Sequence, residues 1–500
     1  MKLKNLYLVF LLILLFSCEP NKKTDQKKFE ATKKLTKIDA LTMVSEIYDT
    51  YQNSEDFLIK GIFYPANFLT QDFNLWGEEG KYFKSFNIPP NYSVLNKYWT
   101  LSYDGIIKTN AALISLNKMA ADKVISQKLA DRLKAECYFN RGLLYFYLAC
   151  NFGNVPIVKN TSNKQPIKTQ NSTQENVFKW ITNDFIKAKN GLPFTYPDKA
   201  DLGRATKGAA LAYLGESYMW LHQYKKAINS FNELKGHYAL MPNFLDINAF
   251  KYQNNKESIF EIQFNGNDNL GWGRDNYSTF IQSFALPNEV GGAALAYINP
   301  KFVKSFNKKD KRLRASIIGP NQKHPDTSIN ISSYNNVQEK YHGINTLGTF
   351  KKPWLGDDGK RSGYYGVKTW RAPDPNATAS SVFSKANVIL MRYGQVLLDL
   401  AESNFKTGNI KGAQNLINKI RKRAGLRPVF GTKLMPILLK EYNHELAGEF
   451  SLWYILRRSG NQIDYIKSNF NIAIPKGHDL LPIPTEQLKL NSNLKQNPGY

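Results

Sequence analysis

The chain has 500 residues, 42% of them apolar, with 67 lysines and arginines against 41 acids and a formal net charge of +26. That apolar content excludes a disordered protein and suffices for one large body or for two or three lobes. The basic balance permits attraction to anionic lipid, acidic polysaccharide or nucleic acid, but no zinc-finger, RNP1 or helix-turn-helix pattern accompanies it, which argues against nucleic acid.

Lys2 and Lys4 precede an unbroken apolar run from Leu6 to Phe16. The run is shorter than the roughly 20 residues of a spanning helix, so residues 1–17 read as a processed export signal. It ends in Leu15-Phe16-Ser17-Cys18, a lipobox-like sequence that predicts lipidation of Cys18 and anchorage at a membrane surface. Residues 18–40, polar and rich in lysine, then serve as a tether.

Residues 41–239 carry helical spacing. Leu41 to Tyr51, Tyr98 to Met119, Leu129 to Cys150 and Glu175 to Lys189 each repeat apolar residues at intervals of three and four. A helical pair of the tetratricopeptide type is predicted near 205–236. Leu211, Leu214, Tyr218 and Leu221 share one face, Gly215 permits close approach, and Ala227, Phe231 and Leu234 line the second helix. A second copy aligns on Leu397, Leu400, Ala401, Ala413, Ile417 and Ile420, with Gly408 in its turn.

Between the copies the character changes. Residues 240–384 gather Gly, Asn, Pro and aromatic residues, with strand-like stretches only at Ile259–Phe264 and Gly363–Val367, and read as a loop-rich insertion. Residues 385–500 return to a helical pair and close in an extended, proline-bearing tail from Leu480 to Tyr500. The fold class expected is therefore mainly α, a tetratricopeptide-like helical-pair scaffold with a loop-rich insertion holding a few short strands.

Cys137 and Cys150 fall on one predicted helix about 20 Å apart, too far for a disulfide, and are expected as buried free thiols. No CxxC or HExxH motif occurs and the six histidines never fall at ligand spacing, so no metal or cofactor is expected.

Four stretches resemble the SusD/RagB-like outer-membrane nutrient-binding lipoproteins of Bacteroidetes. Phe139 to Tyr147 with Phe152-Gly153-Asn154-Val155-Pro156 is similar to that family's "RAxxYFxLxxxFGDVP" segment. Gly203 to Leu211 resembles its "GRATKGAALA" helix start, and Leu390 to Leu426 its "LRYAEVLLxxAE…LNxxRxRAG" pair. Leu480 to Pro484 and the closing Gln496-Asn497-Pro498-Gly499-Tyr500 resemble its C-terminus. Leu452 and Ile455 depart from the pattern, standing where relatives usually carry Arg and Asp; altered packing is the expected result.

The resemblance implies a non-enzymatic binder that captures oligosaccharide at the cell exterior and passes it to a SusC-like TonB-dependent outer-membrane transporter. Capture of peptide, or a purely structural lid on the transporter, are the alternatives. A sugar site needs flat aromatic faces for the apolar side of a pyranose and planar polar groups for its hydroxyls. In the insertion, Trp272 with Arg274 in an Asn/Gly-rich loop, Tyr297 and Trp354 meet that description; Tyr364, Tyr365 and Trp370 keep similar company. Upstream, Asp72, Asn74 and Trp76 stand in a short non-helical stretch before Gly77. Tyr98, Trp99, Trp180, Trp220 and Trp453 sit on helical faces and are assigned to packing. A glycosidase would need two carboxylates facing across a sugar, which 41 acids leave open, but no GxSxG nucleophile motif or metal set appears and the fold resembled is that of a binder.

Overall fold

The first helix starts where the sequence supplies a cap. The Thr36 side chain accepts from the backbone N–H of Asp39 while the Asp39 carboxylate accepts from the Thr36 N–H, a capping box that opens α1 (Lys37–Gln52). A computed structural model describes residues 35–159, 168–264, 285–286, 293–319, 325, 362–368 and 386–500.

After α1 the chain runs through a π-helical stretch, Ser54–Phe63, into α2 (Tyr64–Phe68), then β1 (Phe73–Leu75) and α3 (Glu78–Ser85). Long helices follow: α4 (Ser93–Ala121), α5 (Gln127–Phe152) and α6 (Gln174–Gly191), then the pair α7 (Lys207–Trp220) and α8 (Tyr224–Asn232). The region of short elements holds β2 (Ser258–Ile262), β3 (Ala296–Ile298), α9 (Pro300–Ser305), α10 (Lys311–Ser316), β4 (Ile317–Ile318), β5 (Tyr365–Gly366) and β6 (Val388–Arg392). Helices then resume as α11 (Tyr393–Lys406), α12 (Ile410–Arg423), α13 (Met435–Glu445), α14 (Leu452–Arg458), α15 (Gln462–Phe470) and α16 (Thr485–Leu490). The fold is mainly helical, as expected.

All four helices expected from spacing lie inside observed ones, and the ends follow local chemistry. Ser126, Thr173 and Thr206 each accept a backbone N–H at a helix start. The stretch 54–68 escaped because nearly every residue there from Phe57 to Phe68 is buried, which erases the one-sided periodicity a surface helix shows. Leu390 to Arg392, the start of the stretch that resembles a helical pair, belong instead to a strand of five buried residues, Val388–Arg392. The tail is not wholly extended either: α16 begins after Pro484.

The two helical pairs form where the apolar spacing put them. A Cβ built on Gly215 would stand 2.2 Å from Cε1 of Phe231, so only glycine admits the second helix at this distance. Gly408, at φ 85°, supplies the left-handed turn between α11 and α12. Leu452 and Ile455 are buried in the apolar cluster that also holds Leu397, Leu398, Ile417 and Ile420. Apolar packing there replaces the charges usual at these positions. Cys137 and Cys150 are buried free thiols.

Strands pair antiparallel as three two-stranded ribbons, β1 with β3, β2 with β6 and β4 with β5. Where β6 ends, Arg392 is 1% exposed and bonds three carboxylates: Glu257 at 2.9 Å, Glu445 at 2.7 Å and Glu449 at 2.8 Å. Arg423 also reaches Glu257 and Glu445, and Arg312 reaches Glu445, Asp310 and Glu441. Burial alone would push the Glu445 carboxyl up, yet the surrounding guanidiniums of Arg423, Arg392 and Arg312 hold it well below the usual range. Lys368 joins the cluster through Glu449 at 2.6 Å, and burial pulls its ammonium down to about 8.

The C-terminal tail is stitched to the first half of the chain. Leu481 N–H donates to Asn151 O, Thr485 N–H to Pro90 O, and the Asn497 amide to Phe152 O. Asn491 and Asn493 donate to the carbonyls of Thr169 and Lys168.

Candidate glycan-binding face

β1 and β3 bring together residues that are more than 200 positions apart. The register pairs Phe73 with Ile298, Asn74 with Tyr297 and Leu75 with Ala296, and the ladder continues as Trp76 N–H donates to Leu295 O at 2.7 Å. Side chains alternate along a strand. Phe73, Leu75, Ala296 and Ile298 are therefore the buried face, all 6% exposed or less, and Phe73 packs on Phe302 with ring centroids 6.1 Å apart. The other face carries Asn74, Trp76 and Tyr297, each half-buried. Gly77 ends the strand at φ 89°.

The free edge of β3 is also fixed. Ile298 N–H donates to Tyr364 O and Ser362 Oγ donates to Ile298 O, so the segment before β5 braces the ribbon. Tyr364 and Tyr365 do this work from inside. They are 3% and 0% exposed, and the Tyr364 ring fills the space a side chain on Gly319 would take. Neither ring faces solvent as a platform would.

Asp72 lies on the same ribbon but is not presented with the others. It is 1% exposed, and the Tyr465 hydroxyl, from α15, donates to its carboxylate at 2.8 Å. Burial drives this carboxyl up to about 8 in spite of the bonds from Tyr465 and Thr70. Its backbone oxygen accepts from Asn299 N–H, closing the other end of the ladder. Asp72 thus pins β1 to α15. Among the described residues, its far partner was invisible to sequence reasoning, because nothing local points from Asp72 to Tyr465.

Beside this anchor opens a cleft of about 500 Å³, with Asp72, Ser305, Asn443 and His444 among its polar walls and Phe302 and Phe470 among its apolar ones. The Ser305 hydroxyl and His444 Nε2 are 2.8 Å apart, and the Asn443 amide donates to Tyr465. Cys18, Trp272, Arg274, Trp354 and Trp370 lie outside the described residues. The aromatic residues assigned to packing are found there: Tyr98, Trp99 and Trp453 are 1% exposed, Trp220 stacks on Phe178 at 4.9 Å, and Arg141 lies over the Trp180 ring. Among the described residues no group of three or more His, Cys, Asp or Glu is gathered as a metal ion would need.

Comparison with known proteins decides the family. The sequence model described as "SusD family" matches residues 256–500, and the one described as "Starch-binding associating with outer membrane" matches residues 18–219. The chain belongs to the SusD/RagB family. It is similar to a SusD-like protein P2 of Formosa agariphila, 27% identical over 449 residues, 83% of each chain. It also resembles the starch-binding protein SusD of Bacteroides thetaiotaomicron, 24% identical over 74% of this chain and 73% of that one. Among solved structures, a laminarin-binding SusD-like protein superimposes with a TM-score of 0.75 at 22% identity, over 93% of this chain and 100% of the other. In this SusD-family chain the early loop and the insertion meet at the β1–β3 ribbon.

Proposed function

We propose that this chain is an outer-membrane lipoprotein that binds oligosaccharide on the half-buried Asn74–Tyr297 face of the β1–β3 ribbon and delivers it to a partner TonB-dependent transporter without catalysing any reaction. The observation that carries the reading is the register: Asn74 stands directly across from Tyr297, with Trp76 next on the same face. A tryptophan and a tyrosine supply flat apolar surfaces for sugar C–H groups, and a planar amide between them meets hydroxyls with both a donor and an acceptor. The names of its relatives, starch-binding and laminarin-binding, favour a saccharide over a peptide. Trp272, Arg274 and Trp354 extend the same site in this reading, and Asp72 braces it rather than touching ligand. The lipid on Cys18 holds the protein at the membrane, facing outward.

The test is calorimetry against starch-derived and laminarin-derived oligosaccharides, with a peptide library alongside. Trp76→Ala and Tyr297→Ala are each expected to weaken saccharide binding about fivefold, since one stacked ring contributes on the order of 1 kcal/mol. Both should leave the far-ultraviolet spectrum and unfolding midpoint unchanged. Binding of peptides alone, or saccharide binding indifferent to both substitutions, would overturn the assignment. Cys18→Ala should shift the protein from the membrane to the soluble fraction, and a large outer-membrane barrel should copurify with the wild type.

A further inference from the structure

Two basic runs far apart in sequence meet on the surface formed by α10 and α12. The first is Lys308-Lys309-Asp310-Lys311-Arg312 and the second Lys419-Ile420-Arg421-Lys422-Arg423. Lys311 N–H donates to Ala424 O at 3.0 Å, which ties the two together. Between them and α11 lies an open cleft of about 560 Å³ whose walls include Tyr238, Met241, Tyr393, Lys311, Lys419 and Lys422.

The charge balance of this cleft is one-sided. No carboxylate lines it, and Lys311, Lys419 and Lys422 form no ion pair with any described residue. Four buried acids of the adjoining ion cluster are already engaged: Asp310 and Glu441 by Arg312, Glu257 and Glu445 by Arg392 and Arg423. All three lysines are exposed. Helix stability explains only one of them. Lys422 sits in the last turn of α12, where a cation is favoured, but Lys311 opens α10 at the end of a helix where a cation is disfavoured.

The cleft also has an aromatic wall. The Tyr238 and Tyr393 rings stack with centroids 6.4 Å apart and planes 28° from parallel, and both residues are half-buried. Rings that can cover a pyranose face, beside cations with no acid to neutralise them, match a sugar that carries its own negative charge.

We propose that this cleft is a second binding site, separate from the ribbon face, for the acidic unit of a polysaccharide, a hexuronate or a sulfated sugar. The pyranose lies against Tyr238 and Tyr393, and its carboxylate or sulfate sits among Lys311, Lys419 and Lys422. This site does not depend on the ribbon site, and either can fail alone.

The experiment titrates the purified protein with oligogalacturonate and with dextran sulfate oligosaccharide, using a neutral malto-oligosaccharide for comparison. In the Lys419→Glu/Lys422→Glu variant, affinity for at least one acidic oligosaccharide is expected to fall about tenfold, a loss that shrinks as salt is added. Neutral saccharide binding and the unfolding midpoint should stay as in the wild type. A control variant, Lys118→Glu/Lys123→Glu, changes the net charge equally on α4 and beyond its end. Equal losses in the two variants would reduce the effect to diffuse attraction and overturn the site. So would acidic oligosaccharides that fail to bind, inorganic sulfate that competes as well as they do at equal ionic strength, or binding confined to anionic lipid vesicles.

Discussion

Asp72→Asn should make the protein more resistant to unfolding as pH rises, relative to wild type. In the folded chain the carboxyl is held up to about 8, while in the unfolded chain it titrates at the ordinary value of 3.8. Below pH 4 both states bind the proton and Asp72 has no effect on the balance. Between about pH 4 and pH 8 the unfolded chain has released the proton and the folded chain has not, so wild-type stability falls with a slope of about 1.4 kcal/mol per pH unit. Over the four-unit window the loss is on the order of 5 kcal/mol, and above pH 8 it levels off. Solvent screening does not reduce it much, because the group is 1% exposed. Asparagine keeps an acceptor for the Tyr465 hydroxyl but carries no titrating proton. Denaturant unfolding of both proteins at pH 5, 6, 7 and 8 reads the difference directly. Other titrating groups, including His444 in the same cleft and Lys368 in the ion cluster, cancel in that difference. Two stability curves that run parallel from pH 5 to pH 8 would show that Asp72 is ionised throughout, and would refute the reasoning.

Three more outcomes follow from the packing. Arg392→Ala leaves Glu257, Glu445 and Glu449 short of their shared cation and should cost about 3–5 kcal/mol, read from the denaturation midpoint; a loss under about 1 kcal/mol would mean Arg312, Arg423 and Lys368 suffice. Gly215→Ala sets a methyl group 2.2 Å from Phe231 and should cost about 1–3 kcal/mol, with Phe231→Leu on the same chain recovering part of it. Cys137 and Cys150 should resist a thiol reagent at pH 8 in the native protein and react fully after denaturation, because burial raises both thiols.

Much of the scaffold was legible because its signals are local. Apolar residues at intervals of three and four, with a glycine at a turn, are enough to mark α1, α4 to α8, α11 and α12. Gly215 could even be read for its role in letting the second helix approach, though that Phe231 is the residue it clears came only from the structure. The site was legible only in kind. Asn74, Trp76 and Tyr297 could be chosen for their chemistry, but the register that sets Asn74 across from Tyr297 is a long-range fact with no local code. Asp72 shows the same limit from the other side. Chosen for its chemistry as a ligand contact, it is also tied to Tyr465, 393 positions away, a bond that no local pattern announces. The basic cleft was likewise invisible, because scattered lysines look like an ordinary solvated surface until folding gathers them and sends the acids inward.

The last twenty residues behave as a latch. Asn491 bonds Thr169 across 322 positions, and closing a loop of that length costs about 5 kcal/mol of chain entropy. The carbonyls of Pro90, Asn151, Phe152, Lys168 and Thr169 receive these bonds only when the final segment arrives. A chain cut short during synthesis or clipped near residue 480 would keep the helices before that point yet lose α16 and its seam. Quality control on such fragments would then act on one exposed edge rather than on a collapsed whole.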